Sequence, residues 1–145
     1  MRGNDLFQAL DISGSALAAE RVRMQVVTTN IANAGVTRTA EGGPYRRREV
    51  VFAEELARAI GDDRDGIPAG GVRVAGVVPD PSAFERVYRP SHPDADDEGF
   101  VAMPNVNVAL EMVDLLSASR SYEANLTSVR AFQEMMRQTL AIGRV

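Results

Sequence analysis

Along the last quarter of the chain, apolar residues recur every seven positions: Val108, Leu115, Tyr122, Val129 and Met136. A second row sits four residues on, at Met112, Leu126 and Leu140, with Ser119 and Gln133 as polar gaps; Phe132 and Met135 widen the stripe. Rows spaced in this way lie on one side of an α-helix. A strict seven-residue repeat favours packing along another long helix. No Pro or Gly interrupts residues 108–142, so the spacing predicts a single helix roughly 50 Å long at about 1.5 Å per residue. A stripe of that length needs a partner.

The N-terminal end supplies one. Leu10, Leu17, Met24 and Ile31 fall seven apart, and Leu6, Val27 and Ala34 occupy the adjacent row. Asp5 followed three residues later by Gln8 reads as a capping box, starting a helix at about Leu6. Gly14 lowers helix propensity by about 1 kcal/mol, and the small residues from Ser13 to Ala19 permit close helix approach. Asn33-Ala34-Gly35 supplies the stop, with Gly35 suited to a left-handed cap.

Between the two patterns the periodicity changes. Residues 37–44 are rich in Thr, Gly and Pro and read as irregular. Val50-Val51-Phe52 predicts a short strand, and Glu54–Ile60 either extends it or forms a short helix. Asp62–Gly71, with three Asp, three Gly and a Pro, reads as a mobile loop. Val72, Val74, Val77 and Val78 predict a strand ended by Pro79; Phe84, Val87 and Tyr88 predict another, ended by Pro90. Residues 91–99 form an acidic loop and Phe100–Ala102 an extended piece, after which Asn107 is placed to cap the long helix. The fold class is therefore mainly α with a small β-rich insert. Long N- and C-terminal helices pair as an antiparallel coiled-coil-like hairpin, with short strands and loops between. The expected division is a terminal helical domain, 1–35 plus 107–145, and a middle insert, 36–106. One narrow seam is thin support for two such helices, so the ends are expected to become rigid only within a larger assembly.

Charge sharpens this division. The net charge is -4, yet the helical ends are each neutral and the acidity is concentrated in residues 61–106. Neutral helices bundle without self-repulsion, and the acidic middle lacks the clustered positive charge of a nucleic-acid groove. All sixteen basic residues are Arg and there is no Cys. A Walker-type phosphate loop, which needs Lys, a disulfide framework and a thiolate metal site are all excluded. There is no apolar run long enough to cross a membrane, and no apolar region of a cleaved secretory signal follows Met1.

Candidate chemistry is sparse. His92, the only His, lies in a loop and cannot build a zinc site without Cys; a turn or interface role is expected. Asp94–Gly99 resembles the start of a calcium loop, but its fifth position is Glu98, its twelfth is Asn105, and Pro93 blocks an entering helix. Arg46-Arg47-Arg48 beside Tyr45 could touch phosphate, but Glu41 and Glu49 flank it, so ion pairs to acidic neighbours, including another copy, are expected instead. No catalytic residue, cofactor or metal is assigned.

Several longer motifs carry a resemblance. Asn30-Ile31-Ala32-Asn33, closing the first helical pattern, resembles the signature of flagellar axial proteins. The stretch from Thr37 through Gly43-Pro44-Tyr45 to Arg47 is similar to the rod members of that family. So are Pro90–Ala95, the run from Glu98 through Pro104-Asn105 to Asn107, and Ser119–Asn125. The resemblance implies a structural subunit of the flagellar basal-body proximal rod, part of the drive shaft and export channel. It implies export by the flagellar type III apparatus without a cleaved signal peptide, and assembly with itself and the rod proteins FlgB, FlgF, FlgG and FliE in the periplasm-spanning basal body. Neither nucleic acid nor direct membrane insertion is implied. Leu10, Leu17, Met24, Ile31, Val108, Met112, Leu115, Tyr122, Leu126, Val129 and Met136 are then the expected packing and assembly surface. Two rival readings are a soluble helical adaptor or export chaperone, and a cell-wall hydrolase with two carboxylates about 5–10 Å apart across a cleft.

Overall fold

The computed structural model describes residues 3–56 and 70–142, with the side chains of residues 9–54 and 70–141. In chain order it holds α1 (Gly3–Ala32), β1 (Arg48–Leu56), β2 (Gly70–Pro79), β3 (Glu85–Tyr88), β4 (Phe100–Met103) and α2 (Val108–Ile142). Two long terminal helices thus enclose a small antiparallel insert, as the periodicity predicts.

The ends of α2 and α1 show what starts and stops them. Asn107 caps α2: its Oδ1 accepts from the Ala109 and Leu110 N–H groups at 3.1 and 3.2 Å, satisfying two of the helix's unpaired donors. Helix α1 begins by Gly3, about three residues ahead of the start at Leu6, so Asp5 lies inside the helix instead of capping it. Its end falls where Asn33 was expected to act, by a different device. The Gly residues with positive φ in the described chain are Gly42, Gly43 and Gly99, so Gly35 is not a left-handed cap. Instead the last turn tightens. Asn33 N donates to Thr29 O and Asn30 O, Ala34 N to Ile31 O, and Val36 N to Asn33 O. The Asn33 side chain donates back to Thr29 O at 2.8 Å, so the Thr29, Asn30 and Ile31 carbonyls are satisfied without a left-handed residue.

The insert is two separate two-stranded ribbons. β1 pairs antiparallel with β2, with a bulge: Val51 faces Gly76 and Phe52 faces Val74, leaving Ala75 as the extra residue. The strand option for Glu54 is the one taken, through Leu56. Residues 57–69, with most of the Asp62–Gly71 loop, lie outside the described residues. β3 pairs antiparallel with β4, and the Tyr88 and Phe100 rings meet edge to face at 5.3 Å. Gly99, at φ +82°, turns the chain into β4.

Helix α1 is the central element, packing against α2 and against both strands of the β1–β2 ribbon. Burial on α1 therefore covers a wide arc. Ala19, Val27 and Asn30 are buried, and Leu10, Leu17, Met24 and Ile31 are half-buried. One of the small residues assigned to helix approach, Ser15, serves the ribbon, its Oγ accepting from Val72 N–H at 3.1 Å. On α2 the covered positions include Glu111, Leu115, Ala118, Tyr122, Asn125, Val129, Phe132 and Met136, alternating steps of four and three, with Asp114, Ser119, Ser121 and Leu126 half-buried beside them. The first heptad row is thus covered from Leu115 onward. A companion row three residues on runs through Glu111, Ala118 and Asn125, beside the row four residues on, of which Ser119 is likewise covered. In the predicted second row Leu126 is half-buried, whereas Met112 and Leu140 stand 52% and 68% exposed.

Candidate functional site

The densest polar cluster lies where the end of α1, the start of α2 and the start of β1 meet. Asn30 (0% exposed) and Glu111 (1%) are its buried members. Asn30 uses both ends of its amide. Its Nδ2 donates to Arg48 O at 2.8 Å and to Glu111 Oε2 at 2.9 Å. Its Oδ1 accepts from the Tyr45 hydroxyl and from Arg48 N–H, both at 3.0 Å. One side chain of α1 therefore holds the backbone of β1 as a neighbouring strand would, and holds α2 as well.

Arg47 closes the cluster from the other side. Its Nε donates to Glu111 Oε1 at 2.6 Å, and Nη1 reaches Asp80 Oδ2 at 3.2 Å and also pairs with Glu49. Its Nη2 lies 3.8 Å from Asp114. Burial works against the guanidinium charge, but the hydrogen bonds that Arg47 donates to Glu111 and Glu49, with the charges of those carboxylates, outweigh it, so Arg47 holds its proton more firmly than a free Arg. Burial likewise raises the Tyr45 hydroxyl above its ordinary value, keeping it a donor to Asn30. Asn105 joins the insert to the same point. Its Oδ1 accepts from Arg47 N–H at 2.8 Å, and its Nδ2 donates to Ser82 Oγ at 2.8 Å. Arg46 lies over the Phe84 ring at 4.1 Å and donates to the Asp80 and Ser82 carbonyls. Within the Arg triplet it is thus Arg47 that finds acidic partners, and it finds them in the same chain.

Further along the helices, Arg23 of α1 reaches Asp114 of α2 at 3.6 Å. Glu20 Oε2 is buried without a hydrogen bond, its nearest cation being Arg23 Nη1 at 3.8 Å.

The acidic loop is organised by its own turns. His92 Nδ1 accepts from Asp94 N–H at 3.1 Å, a turn role. Asp94 takes the Thr37 hydroxyl at 2.8 Å and lies 3.5 Å from Arg38. Asp96 accepts from the Phe100 and Glu98 N–H groups and pairs with Arg86 at 2.5 Å. These bonds occupy the oxygens that a calcium loop would need to offer. Among the described residues no group of three or more acidic or His side chains is placed to hold a metal, and no helix is long and apolar enough to cross a membrane.

The motif residues do not scatter. Asn30, Tyr45 and Asn105 converge in the polar cluster, Pro104 beside them is buried, and Gly43, with φ +74°, turns the chain so that Pro44 leads Tyr45 inward. Ile31 is half-buried, Ala32 is exposed and Asn33 ends the helix. Val108 stands 37% exposed. What sequence reasoning missed is Glu111, and the signal was its phase: it lies seven residues before Ala118 and fourteen before Asn125, on the covered side of α2.

The comparisons with known proteins agree with this layout. Residues 10–38 match the family model described as flagella basal body rod protein. Residues 97–142 match the one described as flagellar basal body rod FlgEFG protein C-terminal. Each matched segment contributes a wall of the cluster, Asn30 in the first and Asn105 and Glu111 in the second. The flagellar basal-body rod protein FlgC of Borreliella burgdorferi is 42% identical, the alignment covering 94% of this chain and 97% of the relative. Those of Salmonella typhimurium and Bacillus subtilis are each also 42% identical, covering 96% and 95% of this chain and 98% of either relative. With matches of this identity running almost end to end, the chain belongs to the family of the flagellar basal-body rod protein FlgC.

Proposed function

We propose that the chain is a subunit of the proximal rod, which polymerises through its terminal helices as part of the motor drive shaft and export channel. It is a structural protein, not an enzyme. The observation that carries the assembly mechanism is the outer side of α2. Leu110, Val113 and Leu116 stand 64%, 62% and 60% exposed over its first turns, an apolar surface that the single chain leaves in water.

In this reading α1 and α2 form an antiparallel, coiled-coil-like hairpin; the contacts Asn30–Glu111 and Arg23–Asp114 support it, since a step back along α1 matches a step forward along α2. Residues 1–35 and 107–145 make up the rod core, and 36–106 the insert on its outer side. Leu10, Leu17, Met24, Ile31, Leu115, Tyr122, Leu126, Val129 and Met136 bury seams within and between subunits. Val108 and Met112, turned outward in the single chain, join the intersubunit surface. Neighbours are further copies and the rod proteins FlgB, FlgF, FlgG and FliE. The subunit leaves the cytoplasm through the flagellar type III apparatus without a cleaved signal peptide and resides in the periplasm-spanning rod. A heterologous, non-closing contact yields the required helical array.

Limited proteolysis of the purified monomer, read by mass spectrometry beside the same protein in isolated basal bodies, tests this. Cleavage within 1–35 and 107–145 in solution, with protection in the assembly, is the expected result. Ends that resist protease in the free protein point to a finished domain and to a soluble helical adaptor.

A further inference from the structure

The apolar rows of the two helices are poor at choosing a register. Leu10, Leu17, Met24 and Ile31 on α1, and Leu115, Tyr122, Val129 and Met136 on α2, repeat every seven residues with largely apolar side chains. Sliding one helix by a heptad, about 10 Å, sets apolar rows against apolar rows again. The polar residues at the joint do not repeat. Seven residues beyond Glu111 stands Ala118, and seven before Asn30 stands Arg23.

We propose that Asn30 and Glu111 set the register of the helix pair. In the observed register the buried Asn30 amide spends one donor on Glu111 and one on Arg48 O, and Glu111 gives its second oxygen to Arg47. Slide α2 so that Ala118 faces Asn30, and a buried amide loses its partner while Glu111 and Arg47 are pulled apart. Ala118 has no side-chain acceptor to replace Glu111. A single polar layer fixing one alignment among several apolar ones is the role a buried Asn plays in coiled coils. The slip in the opposite sense would face Asn30 with residues ahead of α2, where there is no helix to pair with.

This inference rests on the antiparallel pairing proposed above, and the Cys-free chain allows the two to be tested separately. Arg23→Cys with Asp114→Cys marks the observed register, and Arg23→Cys with Asn125→Cys, whose level Arg23 reaches only after the slip, marks the register one heptad away. A bis-maleimide linker shorter than the heptad rise reads both. In the otherwise unaltered chain the first pair is expected to cross-link and the second not; absence of the first cross-link overturns the pairing itself. Adding Asn30→Leu and Glu111→Leu, which keep the site filled, is expected to reduce the first cross-link several-fold and bring up the second. Helix content by circular dichroism is followed in parallel. Full retention of the first cross-link overturns the register role. So does loss of helix altogether, because the two residues would then supply stability and not alignment. Glu111→Gln, which keeps an acceptor for Asn30, is expected to stay in the observed register, and a shifted cross-link in that variant also counts against the proposal.

Discussion

At the scale of single residues, Glu111 matters most because its two oxygens are committed and out of water. Truncating one member of a buried charged pair strands the other, at about 3–5 kcal/mol. Glu111→Ala is accordingly expected to lower the urea midpoint far more than Glu111→Gln, which keeps the acceptor for Asn30. Asp80 gives a pH-dependent counterpart. Its carboxyl is held below the usual aspartate range, first by the Ser82 main-chain N–H and then by the Ser82 hydroxyl, with burial opposing and Arg47 helping. A depressed folded pKa adds stability that is fully present above the unfolded value near 3.9 and fades as the pH falls through the folded one. The stability gap between the natural chain and Asp80→Asn should therefore be constant from neutrality to about pH 5 and close below it. A gap unchanged at pH 3 would mean that Asp80 acts through something other than its charge.

At the scale of elements, the predictions concern what starts α2 and what turns the β3–β4 ribbon. Asn107 caps α2 with two main-chain bonds, and Asn107→Ala is expected to cost about 1 kcal/mol, seen as faster amide exchange confined to the first turns of α2. Gly99 has a positive φ, and a Cβ there would stand 2.9 Å from Tyr88 Cε2 and 3.1 Å from Pro90 Cβ. Gly99→Ala combines steric overlap with an unfavourable backbone and is expected to destabilise the ribbon by about 1–3 kcal/mol. Nuclear magnetic resonance shifts at Tyr88 and Phe100 would report the loss of their edge-to-face contact.

At the scale of the whole molecule, the helices were legible because their signal is long. Heptad rows over some thirty residues leave no other period to fit, and Pro and Gly bound the insert on both sides. The β1–β2 ribbon was legible from its Val-rich runs, and the β3–β4 ribbon from short apolar pieces beside Pro and Gly. The polar joint was half legible. Asn30, Tyr45 and Asn105 stood out as motif residues, but nothing in their spacing says that they touch one another. Glu111 escaped notice because a carboxylate on a helix reads as solvent-facing until its partners are known.

The assembly prediction also belongs to the whole molecule. Leu115→Asp places a charge in the packed seam and is expected to abolish incorporation into the rod, scored by motility and by the composition of isolated basal bodies. Leu110→Ser with Val113→Ser alters only exposed positions, so it should leave the monomer's melting temperature almost unchanged while weakening incorporation. Normal motility in that second variant would remove the outer side of α2 from the assembly surface.

The two long helices, the order of the strands, the cap at Asn107 and the family are readable along the chain, because each rests on residues close together in it or on motifs read in order. Folding adds what the chain order does not hold: α1 is covered from two sides, a row through Glu111, Ala118 and Asn125 joins the covered side of α2, and Arg47 finds its acids within its own chain. Those outcomes depend on which residues meet across separations of up to 81 positions. A buried polar group is stable only with its partners in place, so its burial cannot be read until the partners have been brought together.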